Sequence, residues 1–255
     1  MLKKIKSKSG QVTIFVIIAI VIVIGVVLFF SLNKNINPIT REISPQGYLD
    51  SCVKSALTDA TDTVEKQGGS INPKNYVLYN NITVEYLCYT NQYYVPCVNQ
   101  QPLLQKHVEN EIAGEIKKRF DSCLINFKKE YGPDGRGYTI DSGSSQVIVE
   151  LQPKKIIAIV TLKLVMTKGK TVINIEELKS SLSEPLYELI MLANEIINQE
   201  ITYRQFDFLG YMLLHHEDDI ERTRVNEATI YTLKDRKSSR EFHFALRNWV
   251  MPPGF

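Results

Sequence analysis

The sequence lacks the motifs that mark the common nucleotide-binding and hydrolytic enzymes. It contains neither GxGxxG nor GxxxxGKS, so no glycine-rich phosphate loop of the dinucleotide-binding or P-loop type is predicted. It also has no HExxH zinc motif, no GxSxG nucleophile turn and no calcium-binding EF-hand loop. These absences leave no cofactor and no catalytic residue to predict, and they give no positive signal for an enzyme.

The sequence also lacks a large excess of either charge. Its formal net charge is +2, with 30 lysine and arginine residues against 28 acidic ones. Four of the 30, Lys3, Lys4, Lys6 and Lys8, lie in the first ten residues, where no acidic residue occurs, so the rest of the chain has 26 against 28. That balance provides no electrostatic footprint for nucleic acid, and no nucleic-acid partner is predicted.

No charged residue occurs between Gln11 and Leu32, and only Gln11, Thr13, Gly25 and Ser31 interrupt the apolar run. As a helix rising about 1.5 Å per residue, this stretch measures roughly 33 Å, enough to cross a hydrocarbon core of about 30 Å. A helix also satisfies its own backbone hydrogen bonds in lipid. The sequence therefore predicts a single transmembrane helix over residues 11–32.

The residues beside this stretch predict its orientation. Basic residues favour the cytoplasmic side, which places the C-terminal domain outside the cytoplasm at the cell membrane. The apolar run is longer than the core of about 7–15 residues in a cleaved signal peptide, and Ser31-Leu32-Asn33-Lys34 offers no small-x-small cleavage site. The chain then divides into a basic cytoplasmic leader (1–10), a transmembrane helix (11–32), a proline-containing linker (33–47) and an extracytoplasmic domain (48–255).

A Gly-Gln junction separates the basic leader from the apolar stretch. After it, Gln11 and Thr13 match the first and third places of a Q-x-S-x-E beginning, with Thr for Ser, whereas Phe15 stands where the pattern has Glu. This N-terminus resembles the signal sequences of archaeal prepilins, and the whole layout looks like anchored surface proteins of archaea. The resemblance implies cleavage after Gly10, a mature chain beginning at Gln11, and a type IV pilin-like subunit of a filament or homo-oligomer.

Four cysteines, Cys52, Cys88, Cys97 and Cys123, suit an extracytoplasmic domain with disulfide bonds. Sequence alone cannot choose among their three pairings. Cys88 and Cys97 flank a short segment typical of a strand-turn-strand, which favours a bond between them. The segments around Cys52 and Cys123 are both helical in pattern, and a bond would join two helices. Because no CxxC pair is present, a zinc site is the weaker alternative, as are free buried thiols.

The region after the linker alternates helical and strand patterns, which predicts an α+β fold of amphipathic helices and antiparallel strands. Apolar residues recur every three or four positions in three helical segments, 48–66, 103–131 and 186–201. A further short helix is predicted at 203–215. Strands are predicted within 76–98, as a meander at 147–151, 155–166 and 171–175, and as a hairpin at 230–233 and 241–246.

The strongest candidate for a metal or catalytic site is the run from His215 to Asp219. If the run is helical, a spacing of three or four residues brings His215 close to Asp218 or Asp219, the kind of pair that binds a metal ion. A solvent-exposed helix end is the alternative interpretation of the same residues.

Two features are typical of surface proteins. Asn81 begins the sequon Asn81-Ile82-Thr83, which predicts N-glycosylation at an exposed position. The stretch with Tyr86, Tyr89, Tyr93 and Tyr94 is either a sugar- or peptide-binding face or ordinary strand packing.

Together these features predict a single-pass, non-enzymatic surface protein that contacts other surface or envelope proteins, with a filament as a special case. One alternative is a membrane-tethered metal-binding or hydrolytic enzyme that uses the His215–Asp219 cluster. Another is a glycan- or peptide-binding module on the tyrosine-rich strands.

Overall fold

A computed structural model describes the backbone of residues 9–32 and 44–252, and the side chains of residues 14–26 and 44–252. These residues belong to two compact units, Met1–Ile43 and Ser44–Phe255. The described part of the first unit is one continuous helix, α1 (Ser9–Leu32). Most of the predicted linker, residues 33–43, lies outside the described residues.

The side chains described in α1, from Ile14 to Val26, are apolar and exposed, with exposed fractions of the large ones between 49% at Val26 and 67% at Phe15. Over the part of the chain with described side chains, no helix combines the length and apolar character required to cross a membrane.

The second unit has the α+β composition that the sequence predicts, with antiparallel pairing in all but one of its described strand pairs. Its elements are, in order, α2 (Pro45–Lys66), β1 (Tyr76–Tyr79), β2 (Ile82–Tyr89), β3 (Val98–Asn99), α3 (Leu104–Tyr131), β4 (Thr139–Ser142), β5 (Gln146–Gln152), β6 (Lys155–Lys168), β7 (Thr171–Leu182), α4 (Leu186–Tyr203), α5 (Phe208–Leu214), β8 (Asp218–Val225), β9 (Ala228–Asp235) and β10 (Glu241–Arg247).

The strands form two sheets. The first has the order β1-β2-β10-β9-β8, with β3 also paired to β2, and its β2–β10 pair is parallel. In the second, β6 pairs with β7 on one side and with β5 and β4 on the other. The edge strand β8 is the one that positions the sites described below.

The main buried core joins the helices α2, α3 and α4 to both sheets, and a small second cluster of Val84, Ile230 and Ala245 lies within the first sheet. The predicted helical stripes are confirmed, because α2, α3 and α4 bury residues at spacings of three and four. Phe242 and Phe244 are buried in the same core, and His243 between them faces the other side of β10, as strand alternation predicts. Among the described side chains this core lies within residues 49–246, so the second unit contains a hydrophobic core of its own with which to fold.

Helix α2 begins three residues before the predicted start. Ser44 caps it, since its side chain accepts a hydrogen bond from the Gly47 backbone N–H at 3.0 Å. Pro45 belongs to the helix because a proline in the first turn needs no backbone donor. Beyond the C-terminus, Gly68 and Gly69 have φ of +76° and +98°, and a Cβ on Gly68 would lie 3.0–3.2 Å from atoms of Glu85.

The structure differs most from the sequence expectation between residues 203 and 225. Arg204 ends α4 with a left-handed φ of +67°, and a new helix, α5, starts only at Phe208 after its cap Asp207. The strand β8 follows at once, where no strand was predicted. Its central residues are exposed and polar, so the sequence carries no apolar alternation that would reveal an edge strand.

Two disulfides connect the pairs that local context favours. Cys52 in α2 is bonded to Cys123 in α3, with Cα atoms 6.4 Å apart. Cys88 in β2 is bonded to Cys97, just before β3, with Cα atoms 5.4 Å apart. Both separations are ordinary for disulfides, and the zinc and free-thiol alternatives are excluded because no free cysteine remains.

We expect the two bonds to differ in their effect on stability. A Cys52→Ser/Cys123→Ser variant opens a loop of 71 residues and should lower the free energy of unfolding by about 4.5 kcal/mol in the chain-entropy treatment. The matched variant Cys88→Ser/Cys97→Ser opens a loop of nine and should lose about 2.5 kcal/mol. Urea unfolding of both variants measures the difference, and a larger loss for the short loop would contradict it.

Arg240, just before β10, connects three segments of the fold. Its guanidinium forms ion pairs with Asp62 at 2.6 Å, with Glu184 at 3.1 Å and with the buried Glu65. Burial raises the pKa of Glu65 to about 8, although Arg240 opposes this rise. Three carboxylates therefore share one cation, and Glu65 is the most deeply buried of the three.

The raised pKa of Glu65 makes the free energy of unfolding depend on pH. The folded state holds the Glu65 proton more tightly than the unfolded state, so the bound proton stabilises the fold. This contribution is complete below about pH 4.5 and is lost as the pH rises through about 8. We expect the free energy of unfolding to fall by roughly 2–5 kcal/mol over this window on account of Glu65.

Glu65→Gln should flatten the profile, whereas Glu150→Gln, at an exposed position on β5, should leave it unchanged. Chemical unfolding at several pH values measures both variants. An unaltered pH slope in Glu65→Gln would show that Glu65 is not the titrating group.

Candidate functional site

A cleft of about 740 Å³ lies between α4, α5, the start of β8 and the β9–β10 turn. Its wall has an apolar part, with Leu189, Met191 and Leu192 from α4, and a polar part from the segment that joins α5 to β8. The cleft is predominantly acidic, because six carboxylate residues and only two lysines line it. The acidic residues are Glu184, Glu188, Glu195, Glu217, Asp218 and Asp235.

Three side chains of this wall converge. His215 is the C-cap of α5, and Glu217 and Asp218 follow it where the chain turns into β8. One ligand atom from each residue lies within 4.8 Å of the others, and the His215 Nδ1 to Glu217 Oε1 distance is 3.8 Å. The turn is held by the Asp218 backbone N–H, which donates to the His215 carbonyl at 3.2 Å.

Tyr211 completes the cluster from inside α5. Its ring stacks on the His215 ring, with centroids 4.1 Å apart. Burial, followed by the negative charges of Asp218, Glu195 and Glu217, raises the pKa of Tyr211 to about 12. Burial and Glu217 also raise the pKa of Asp218, against the opposing effect of His215.

The structure brings together only part of the predicted set. His215 and Asp218 meet, but Asp219 points to the other face of the sheet, where it pairs with Arg236 at 3.4 Å. The helical interpretation of this run is wrong because β8 begins at Asp218, and successive strand residues face opposite sides. Glu217 and Tyr211 were missed as members, although the four-residue spacing of Tyr211 and His215 was a usable signal.

This arrangement has the donor types of a site for a divalent transition metal. One imidazole nitrogen and two carboxylates suit Zn²⁺ or Mn²⁺. Bonds of about 2.1 Å require ligand atoms roughly 3–3.5 Å apart, so the three groups would have to converge by about 1–2 Å. Such movement is accessible to His215 and Glu217, whose side chains are 44% and 55% exposed.

The tyrosine-rich stretch surrounds a buried arginine. Tyr86 and Tyr89 pack edge to face at 5.1 Å, and the Arg247 guanidinium lies 5.8 Å from the rings of Tyr89 and Tyr93. Arg247 itself is neutralised by Glu227 at 2.6 Å. These contacts give the tyrosines a packing role, and a glycan- or peptide-binding face stays a prediction.

The two predicted modification positions have different surroundings. Asn81 is exposed in the two-residue turn between β1 and β2, with φ of +63°, so its side chain is accessible. Glycosylation there stays a prediction. Gly10 and Gln11 lie in the first turn of α1, where only the backbone is described, and processing between them stays a prediction as well.

A serine–histidine contact occurs elsewhere in the domain. The Ser70 hydroxyl lies 2.8 Å from His107 Nε2 and donates to the buried Glu85. Ser70 is only 4% exposed, and its proton is directed to a carboxylate rather than to the imidazole. The contact therefore connects α3 to β2 through a loop and does not form a nucleophile–base pair.

No protein-family model, no curated protein and no solved structure matches this chain. Family membership therefore contributes nothing to a functional assignment, which depends on the chain's own residues.

Proposed function

We propose that this chain is a single-pass membrane protein whose domain, residues 44–255, lies on the extracytoplasmic side and acts by contact with other surface or envelope proteins. The observation that carries the proposal is α1, a continuous helix of 24 residues whose described side chains are all apolar and exposed. Exposed apolar surface costs about 25 cal/mol per Å² in water, and lipid removes that cost.

The charge and the cysteines support the same orientation. All four lysines of the leader precede α1, and the domain that follows has two disulfides with no free cysteine. Basic residues favour the cytoplasmic side, and disulfides persist in oxidising compartments. The exposed sequon at Asn81 is consistent with an outer surface.

The domain also offers apolar surface for a partner. In α5, Leu209, Leu213 and Leu214 are exposed, and no residue of this helix is buried. Three neighbouring exposed leucines on a short helix are typical of a protein–protein contact. The prepilin-like N-terminus makes a second copy of the chain one such partner.

We expect the full-length chain to stay in the membrane pellet after alkaline carbonate extraction, and the fragment 44–255 to stay in the supernatant. Protease added to intact cells should remove the domain while a cytosolic marker is protected. Replacing Lys3, Lys4, Lys6 and Lys8 by glutamate should reduce the protease-accessible fraction, because the positive charges set the orientation.

A full-length chain that carbonate releases would rule out the anchor, and a domain as protected as the cytosolic marker would rule out the orientation. Mass spectrometry of the mature N-terminus addresses the filament separately. A chain that begins at Gln11 supports prepilin processing, and one that begins at Met1 or Leu2 counts against it.

A second candidate function is divalent metal binding by the cluster of His215, Glu217 and Asp218, favoured by the convergence of their ligand atoms within 4.8 Å. Glu217 has no ion pair other than the one with His215 among the described side chains, so it is free to turn toward an ion. A bound ion would lower the pKa of a coordinated water, which is the chemistry of metal-dependent hydrolases.

Titration of the full-length protein in detergent with Zn²⁺ or Mn²⁺, followed by calorimetry, tests this candidate. We expect one ion per chain, and His215→Ala should weaken binding at least about tenfold, equivalent to about 1.4 kcal/mol. His216→Ala and Asp219→Asn are matched controls, since these neighbours lie outside the cluster. Equal affinity in all three variants would eliminate the site.

A further inference from the structure

A second cleft, of about 390 Å³, lies at the opposite end of β8 from the acidic one. Arg222 and Arg224 reach it from β8, and Arg204 reaches it from the C-terminus of α4. The two β8 arginines are two residues apart on a strand, so their side chains leave the same face. All three arginines are exposed.

These arginines lack the partners that neutralise most other arginines of the domain. Among the described side chains, no carboxylate lies within 4.0 Å of Arg204, Arg222 or Arg224. Arg222 instead lies 5.2 Å from the Phe208 ring, and its positive charge partly opposes the rise in the pKa of Tyr231 that burial causes.

The two carboxylates that line this cleft are already engaged. Glu227 pairs with Arg247 at 2.6 Å. Glu200 is buried, accepts a hydrogen bond from the Tyr231 hydroxyl at 2.5 Å and lies 3.4 Å from the Asn248 amide. The cleft therefore keeps an excess of positive charge at its mouth.

Arg204 is held in place by Trp249. Its guanidinium carbon lies 3.7 Å from the centre of the indole ring, close enough for a stacked cation–π contact. Both residues have left-handed backbones, with φ of +67° and +48°, a conformation that costs free energy for residues other than glycine. The unfavourable backbone conformations of Arg204 and Trp249 thus accompany the stacking of the arginine at the rim of the cleft.

We propose that this cleft binds a phosphate-type oxyanion, held by Arg204, Arg222 and Arg224. The guanidinium group presents paired N–H donors in a plane that matches the oxygens of phosphate. Three arginines that line one cleft and form no ion pair with its two carboxylates are suited to a doubly charged anion. The ligand is either a soluble phosphate compound or the phosphate of a lipid headgroup. The proposal holds whether or not the chain is anchored.

The chain contains one tryptophan, and it lies in this cleft, so its fluorescence reports binding directly. Full-length protein in non-ionic detergent is titrated with sodium phosphate, with chloride used to keep the ionic strength constant. We expect a saturable change in Trp249 emission. Arg224→Gln should raise the apparent dissociation constant about tenfold, because one charge-assisted contact is lost.

Lys179→Gln, on the exposed face of β7, is the matched control because it removes the same charge from a strand of the other sheet and does not line the cleft. Arg222→Gln is the second test variant if Arg224→Gln does not fold by circular dichroism. No saturable response to phosphate, or equal dissociation constants in Arg224→Gln and Lys179→Gln, would overturn the proposal.

Vesicles distinguish the two sources of phosphate. The fragment 44–255, which contains the whole core, is sedimented with vesicles of phosphatidylcholine alone or mixed with phosphatidylglycerol. If the full-length protein responds to phosphate, the vesicles identify the source. A lipid headgroup is the ligand if the fragment binds the mixed vesicles and Arg224→Gln abolishes that binding. A soluble phosphate compound is the ligand if the fragment does not bind the mixed vesicles. Binding that Arg224→Gln and Lys179→Gln retain equally would be non-specific attraction and would count against the cleft.

Discussion

The fold depends on the requirement that α2, α3 and α4 bury their apolar stripes against two sheets at once. The largest fully buried side chains, such as Phe120, Phe127, Tyr231, Phe242 and Phe244, come from helices and strands alike, and they form one contiguous core. Because this core already fixes the positions of the helices, the Cys52–Cys123 bond and the Arg240 ion pairs act at its edges. The disulfide stabilises by restricting the unfolded chain, and Arg240 connects segments that the core has brought together.

Local patterns in the sequence predict the parts of the fold that this core determines. The helical stripes, the β6–β7 hairpin and the cysteine pairs all carry signals within a few residues, and all were predicted. The edge strand β8 was not, because Glu221 to Arg224 are exposed and have no apolar alternation. The three partners of Arg240 come from distant segments of the chain, and no local pattern reveals such a contact.

The same limit applies to the candidate sites. His215 and Asp218 were identified as a pair, but the geometry that unites them is a turn into a strand and not a helix, which is why Asp219 was included wrongly and Glu217 omitted. The contact between Arg204 and Trp249 was beyond prediction, since both residues adopt left-handed backbones that their types disfavour. Several failures of sequence reasoning thus fall in residues 204–224, a segment that contributes side chains to both clefts, as expected when functional sites depart from local preferences.

The charged residues of β8 have two separate explanations, and only one accounts for the separation of negative from positive residues along the strand. An edge strand needs charged side chains to prevent pairing with another chain, and any arrangement of signs would serve that purpose. On the face that carries Ile220, however, the charges are sorted, with Asp218 at the acidic cleft and Arg222 and Arg224 at the basic one. Alternating positive and negative residues would have neutralised one another and would still have protected the edge strand against pairing with another chain. Segregation instead leaves each cleft with an uncompensated potential, which is what binding ions of opposite sign at the two ends requires.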